Sequence, residues 1–210
     1  MKTTSLLLSS LLLLSPVVRA GDSVLEEGIT ALFNGIDLTG WVHASGNKIP
    51  KNYRGGIWTV QDGAIAGAQL EDGNGSFLHT EKTYADFELL IDVNLSWGCD
   101  SGIWIRTNEK GQCLQVFLDY LPDGNIGYIY GQGSGGFCSM PWQLKAVEQD
   151  GKVTGVEAVD VYDGLDIDGL VYSCKAADFN KVWRHGEFNT LKIRCTGKYP
   201  VITTWVNGVK

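Results

Sequence analysis

The residues best suited to chemistry lie between Asp100 and Gly133, in three short runs that alternate apolar and polar side chains. The runs are Ile103–Thr107, Cys113–Tyr120 and Ile126–Tyr130, and turn-forming residues separate them, which predicts a three-stranded antiparallel meander. Side chains two positions apart share a face of a strand. One face is therefore predicted to carry polar and aromatic side chains, namely Trp104, Arg106, Gln115, Asp119, Tyr128 and Tyr130. This mixture suits a sugar better than a packed core, although periodicity alone fits equally well with residues that simply face solvent.

Strands are also predicted on both sides of the meander, and they make the chain all-β. They are a hairpin at 57–67, a short strand at 76–80, a long alternating run at 87–96, and two C-terminal strands, Asn189–Thr196 and Val201–Val206. Between Phe137 and Phe188 no strong strand periodicity is present, so a long loop is expected there. Asn207-Gly208, after the last strand, is a strong hairpin-turn signal.

The first 20 residues have the features of a secretory signal peptide. A basic start is followed by an apolar run too short to span a bilayer, and Val18-Arg19-Ala20 supplies small residues where cleavage would occur. The mature product is expected to begin near Gly21 and to be secreted or periplasmic. No other segment is apolar and long enough to predict a membrane span.

The charge balance of the mature chain argues against nucleic-acid binding. Removal of residues 1–20 takes away Lys2 and Arg19 and no acidic residue, which leaves 15 basic and 24 acidic residues and a formal net charge of −9. An acidic protein repels phosphate backbones. The remaining 21–210 segment fits a single domain. This segment has five cysteines, an odd number, and no C-x-x-C pair, so the sequence leaves disulfide pairing open.

Four sequence blocks resemble the 3-keto-disaccharide hydrolase family, once classed as a domain of unknown function. They are L-F-N-G-I-D-L-T-G-W, W-T-V-Q-D-G-A-I-A-G, F-L-H-T-E-K-T-Y-A-D-F-E-L with the later D-S-G-I-W-I-R, and F-N-T-L-K-I-R-C-T-G with I-T-T-W-V-N-G-V. The blocks occur in family order from Leu32 to Val209. The resemblance implies a concanavalin A-like jelly roll, a sandwich of two antiparallel sheets with a concave sugar-binding face.

The chain departs from the family pattern in three places. Asp100 stands where many members have asparagine, and Cys113-Leu114-Gln115-Val116 lacks a glutamate that many members carry in that strand. Members also continue past N-G-V through one or two further strands. The 21–210 domain is therefore expected to be truncated at its C-terminus and to lack its last strand or strands.

The resemblance implies a secreted hydrolase acting on 3-keto-glycosides or 3-keto-disaccharides. A ketone at C3 acidifies the C2 hydrogen, so a base can remove it, the anomeric substituent can leave by elimination, and water can then add. Asp119 or Glu88 is the candidate base, and Arg106 the candidate partner of the enolate oxygen. A divalent metal held by Asp100 and His79 is a further candidate component. Candidate sugar-binding residues are Trp104, Gln115, Tyr128, Tyr130 and Trp142.

Structural roles remain open for the same residues. Arg106 could pair with Asp119 across the strands, His79 could be an ordinary strand residue, and Trp104 could be half-buried packing. A non-catalytic carbohydrate-binding module on the same jelly roll is the alternative function. A conventional two-carboxylate glucanase ranks third, because no closely spaced acidic run of the E-x-D-x-x-E type is present.

Overall fold

The computed structural model describes residues 28–43, 56–71, 75–108, 110–162 and 167–210. The expected signal segment, 1–20, lies outside these residues. By its internal contacts the chain divides into two compact units, Met1–Glu81 and Lys82–Lys210. A single domain over 21–210 stays a prediction.

The first unit contains two small antiparallel pairs. Strand β1 (Trp41–His43) pairs with β4 (Leu78–Thr80), and β2 (Ile57–Gln61) forms a hairpin with β3 (Ala64–Ala68). Asp62 and Gly63 form the turn, with φ of 50° and 77°. Both residues adopt the left-handed backbone conformation that the favoured two-residue hairpin turn requires. The predicted hairpin is confirmed.

One sheet of the second unit joins distant parts of the sequence. Strand β5 (Phe87–Val93) pairs with β11 (Asn189–Thr196), which pairs with β12 (Val201–Val206), all antiparallel. The two C-terminal strands have the predicted bounds. Asn207 and Gly208, at φ of 46° and 86°, turn the chain so that Val209 pairs with Val206.

The other sheet of the second unit is the predicted meander. Strands β6 (Gly102–Ile105), β7 (Cys113–Leu118) and β8 (Ile126–Gln132) pair antiparallel in that order. The register shifts between Val116 and Leu118, which pair with Ile129 and Ile126. A shift of this kind interrupts the strict alternation of side chains along a strand.

The two sheets pack face to face through their apolar sides. Ile105 and Val116 of the meander sheet form one buried cluster with Ile193 and Cys195 of the other sheet. Leu118, Tyr120 and Ile126 belong to a second cluster, which includes Leu191 and Val206. Because successive strand residues alternate, Gln115 and Glu88 belong to the outer faces of opposite sheets. The described fold is thus an all-β sandwich, as predicted.

Residues 137–188 hold more regular structure than the sequence predicts. Strands β9 (Trp142–Gln149) and β10 (Lys152–Asp160) form a hairpin, and helix α1 (Ala176–Asn180) packs beside it. The prediction of a long loop in this part of the chain is therefore wrong. A register shift between Val153 and Gly155 breaks the alternation, but Asp150-Gly151, a recognised turn pair, marks the hairpin in the sequence.

All five cysteines lie within the described residues, and all five are free thiols.

Among the described residues, no helix combines the length and the apolar character needed to cross a bilayer.

A tight turn links β7 to β8 and requires glycine at one position. Gly124 N donates to Leu121 O at 2.9 Å, and a Cβ on Gly124 would lie 2.1 Å from Asp119 O. That contact is with backbone, so a neighbouring side chain cannot relieve it. Gly124→Ala is expected to lower the free energy of unfolding by about 2 kcal/mol or more, measured by urea denaturation.

Gly155→Ala is the matched control, because a Cβ there meets only Val147 Cβ, at 3.8 Å. Its unfolding midpoint should stay within a small margin of the wild type. Equal midpoints for both variants would show that the turn at Gly124 relaxes without cost.

Candidate active site

The centre of the candidate site is a pair of aspartates placed opposite each other by strand register. Gly102 pairs with Phe117 in the meander, and Cys99 pairs with Tyr120 in an isolated bridge. The same register puts Asp100 opposite Asp119. Leu118 N donates to Ser101 O at 3.0 Å and Tyr120 N donates to Cys99 O at 2.8 Å, which fixes both backbones around the pair. We call Asp100 and Asp119 the carboxylate dyad.

Asp119 is the more enclosed member of the dyad. Its Oδ1 atom is buried and has no hydrogen-bond partner among the described residues. Burial, followed by the negative charge of Asp100 and a contact with its carboxyl group, raises the pKa of Asp119 from 3.8 to about 7; a backbone hydrogen bond with Ser101 acts in the opposite direction. Asp119 can therefore exchange a proton near neutral pH, which an ordinary carboxyl group does not do.

The turn after β7 holds Asp119 in position from the other side. Asp119 N donates to Asn125 O at 3.0 Å. Asn125 is fully buried, and its Nδ2 donates to Trp142 O at 2.7 Å. Asp119 is thus connected through Asn125 to the first residue of β9, so the hairpin that the sequence did not predict supports the dyad.

Two thiols lie near the dyad. Burial raises the pKa of Cys99, and the charges of Asp100 and Asp119 raise it further. Burial and the charge of Asp119 raise the pKa of Cys138 in the same way. Both thiols are therefore neutral neighbours of the dyad at pH 7, and they are poor nucleophiles.

Three of the candidate sugar-binding residues form one cross-strand row on the same sheet face as the dyad, with the Gly102–Phe117 pair between the row and the dyad. Gln115 pairs with Trp104 on one side and with Tyr130 on the other. Gln115 Nε2 donates to Ser101 O at 3.3 Å, next to Asp100. A Cβ on Gly102 would lie 2.3 Å from Gln115 Nε2, so glycine leaves the room in which this amide lies. The predicted grouping of Trp104, Gln115 and Asp119 on one sheet face agrees with the register.

Tyr128 and Trp142 do not join this row. The Tyr128 ring packs edge-on against Trp142 with centroids 5.4 Å apart, and its hydroxyl lies 2.8 Å from Ser173 Oγ. Trp142 is 1% exposed, so its ring has no free face for a sugar. Sequence analysis placed Tyr128 and Tyr130 on one sheet face. In the structure the two rings have different neighbours, because Tyr130 packs on Phe117 and Tyr128 packs on Trp142. The register shift in β8 separates the surroundings of the two tyrosines.

Arg106 connects chain segments rather than meeting the dyad. Its Nε donates to Ala85 O at 2.8 Å, Nη1 to Gly197 O at 2.6 Å, and Nη2 to Asp86 Oδ1 at 2.8 Å. The ion pair that sequence analysis considered with Asp119 is therefore formed with Asp86. With three donors engaged this way, the position of Arg106 supports a structural role.

Glu88 lies on the outer face of the other sheet, where its carboxylate pairs with Lys192 at 2.9 Å and with Arg194. These two cations hold the pKa of Glu88 below its usual value. An ionised, paired carboxylate is a weak base, and the sandwich separates Glu88 from Asp119. Of the two candidate bases, the geometry favours Asp119.

The candidate metal ligands belong to different units. His79 is the central residue of β4 in the first unit, and burial lowers the pKa of its imidazole. Asp100 belongs to the dyad in the second unit. Among the described residues, no group of three His, Cys, Asp or Glu side chains converges on a point where a metal ion could sit. The described residues therefore do not supply a metal site of this kind.

The family of the chain follows from a sequence comparison. A family model described as a 3-keto-alpha-glucoside-1,2-lyase-like domain matches residues 28–210. The chain belongs to this family. The match extends across both units and contains the dyad, the row of Trp104, Gln115 and Tyr130, and both sheets of the sandwich.

A curated relative has a name of the same kind. A 3-keto-disaccharide hydrolase from Bacteroides thetaiotaomicron is 28% identical over 88 residues, which are 40% of this chain and 29% of the relative. The matched segment thus covers less than a third of that protein.

The raised pKa of Asp119 predicts a pH-dependent stability. In the unfolded chain the carboxyl titrates near its ordinary value, so the native state binds its proton more tightly, and stability should fall as pH rises from about 4 to about 7. Asp119→Asn removes this effect. The variant should be more stable than the wild type at pH 8, by on the order of 1 kcal/mol after solvent screening, with a smaller difference at pH 4.

Urea denaturation at a series of pH values measures this difference. The control is Asp150→Asn in the exposed β9–β10 turn, where Asp150 has φ of 52° and asparagine is tolerated. A stability difference for Asp119→Asn that did not change between pH 4 and 8 would contradict the assigned pKa.

Proposed function

We propose that the protein is a carbohydrate-active enzyme that cleaves 3-keto-glycosides by elimination and hydration, with Asp119 as the proton-transferring base. The observation that carries this proposal is the carboxylate dyad. A like-charged pair in which one oxygen is buried and unpartnered destabilises a fold, and such groups concentrate at functional sites. Membership in the 3-keto-alpha-glucoside-1,2-lyase-like family and the name of the Bacteroides relative support the substrate class.

In the first step, ionised Asp119 removes the proton from C2 of the sugar. The C–H electron pair forms the C1=C2 double bond, conjugated with the C3 ketone, and the C1–O bond breaks. The departing oxygen takes a proton from solvent water, which leaves hydroxide, so the products are an unsaturated ketone and the free alcohol. No electrons are gained or lost overall.

In the second step, water adds across the double bond. Its oxygen bonds to C1 and a proton returns to C2, which gives the 3-keto-sugar. Asp119, which gained a proton in the first step and exchanges it with solvent, can deliver the proton to C2 while hydroxide supplies the oxygen at C1. A base with a pKa near 7 is stronger than an ordinary carboxylate and still largely ionised just above neutrality, and this combination suits general base catalysis.

The remaining residues divide into two groups. Trp104, Gln115 and Tyr130 lie on the outer face of the meander sheet, the same face as the dyad, and are the proposed sugar contacts. Arg106 and Glu88 have structural pairings in the described chain, and we assign them no step. No step passes through a metal ion. Export of the mature protein remains part of this proposal, since extracellular or periplasmic sugars would be its substrates.

Proton abstraction at C2 is tested with a 3-keto-disaccharide labelled with deuterium at that carbon. The purified protein should release the alcohol more slowly from labelled than from unlabelled substrate, and the product formed in D₂O should carry deuterium at C2. Asp119→Asn should lower kcat by about 100-fold or more, because general base catalysis contributes that much.

Asp123→Asn is the control, since Asp123 is exposed in the adjacent turn and pairs with Lys145. Full turnover by Asp119→Asn, or the absence of both isotope effects, would refute the proposal. Sugar binding without any turnover would favour the non-catalytic module. Cleavage of an unoxidised glucan would favour a conventional glucanase.

A further inference from the structure

The outer face of the β5–β11–β12 sheet carries an aromatic and charged surface on the side of the sandwich away from the dyad. Its central row consists of Leu90, Lys192 and Trp205, which pair directly across the three strands. Leu90 is 60% exposed. Leu90 is at the centre of β5, an edge strand of this sheet, and Trp205 is in the other edge strand. A large apolar side chain so exposed on the same face as a tryptophan is unusual for a surface that contacts only water.

A hollow of about 330 Å³ opens on this face. Its lining residues are Leu90, Thr190, Lys192, Trp205 and Gly208. The volume lies at the small end of the range for ligand sites. The hollow thus offers room for a single ring-sized group next to an indole.

The indole of Trp205 is held in place before any ligand arrives. Lys192 Nζ lies 5.2 Å and Arg194 Cζ 5.6 Å from the ring centroid, both within cation–π range. The carboxylate of Glu88 forms ion pairs with both Lys192 and Arg194 and so fixes their positions. A ring fixed in this way loses little conformational freedom on binding, which favours affinity.

The polar groups around the hollow match hydroxyl groups rather than a charged ligand. At the outward positions of the three strands, Lys192 and Arg194 contribute two positive charges, and Glu88 and Asp92 contribute two negative charges, so these positions carry no net charge. Thr190 Oγ1 lies 2.5 Å from Asp92 Oδ1. Carboxylates retain free lone pairs after one such bond, and an ammonium group retains free donors. A sugar presents donors and acceptors of both kinds together with an apolar C–H face for an indole.

We propose that this face is a carbohydrate-binding surface separate from the dyad, which accepts a pyranose unit of a neutral oligosaccharide against Trp205. It would hold the protein on a glycan while the dyad acts on a smaller oxidised sugar. Binding here does not depend on the chemistry proposed for Asp119.

Isothermal titration calorimetry tests the proposal with cellohexaose, laminarihexaose and maltohexaose as probes, and with polygalacturonate as an anionic comparison. At least one neutral probe should bind with saturation. Trp205→Ala should weaken that binding at least about tenfold, and Trp205→Phe, which keeps a ring, should retain most of it.

Tyr199→Ala is the matched control, because Tyr199 is an aromatic residue 83% exposed at the β11–β12 turn, outside the hollow. It should leave the affinity unchanged. Circular dichroism verifies that each variant is folded, and turnover of a soluble 3-keto-disaccharide should be unchanged in Trp205→Ala. The proposal is overturned if no neutral probe binds, if only polygalacturonate binds, or if Trp205→Ala binds as tightly as the wild type.

Discussion

The repulsion between Asp100 and Asp119 is the constraint on which the candidate site depends. Antiparallel register brings the two carboxyl groups opposite each other, an arrangement that costs stability. Burial of one Asp119 oxygen adds to that cost. Below about pH 7 the carboxyl group of Asp119 carries a proton, and this proton relieves part of the repulsion. The same proton is what makes the pair chemically useful.

The rest of the second unit keeps the pair from moving apart. Ladder hydrogen bonds at Ser101 and Cys99 hold one strand against the other, while Asn125 connects Asp119 to the β9 strand. Gly124 allows the turn to pass close to Asp119 O. Val116 and Ile193, both fully buried, fix the meander against the opposite sheet. A rigid scaffold of this kind can hold a geometry that the two aspartates alone would not adopt.

The sequence predicted much of this scaffold because alternation and turn residues are local signals. The meander, the 57–67 hairpin and the strands at 189–196 and 201–206 all follow from them. The sequence-based prediction failed between 137 and 188. There a register shift interrupts the alternation of side chains, so the β9–β10 hairpin was not predicted, although Asp150-Gly151 is a turn signal.

For the site, the sequence named both aspartates, but their pairing required the register of a hairpin whose turn could not be set from sequence. The partners of Arg106 and the burial of Trp142 depend on contacts between distant segments, which no local pattern encodes. Trp205 was missed for a similar reason, since the alternation that placed it in a strand did not show what lies beside it.

Direct titration of the Asp119 side chain tests the central claim most sharply. Carbon-13 NMR of the carboxyl resonance, assigned with Asp119→Asn, reports the protonation of that group alone. The account predicts a midpoint near pH 7 in the wild type and a lower midpoint in Asp100→Asn, because the neighbouring negative charge is gone. A wild-type midpoint below about 5, close to the value of an ordinary aspartate, would contradict it.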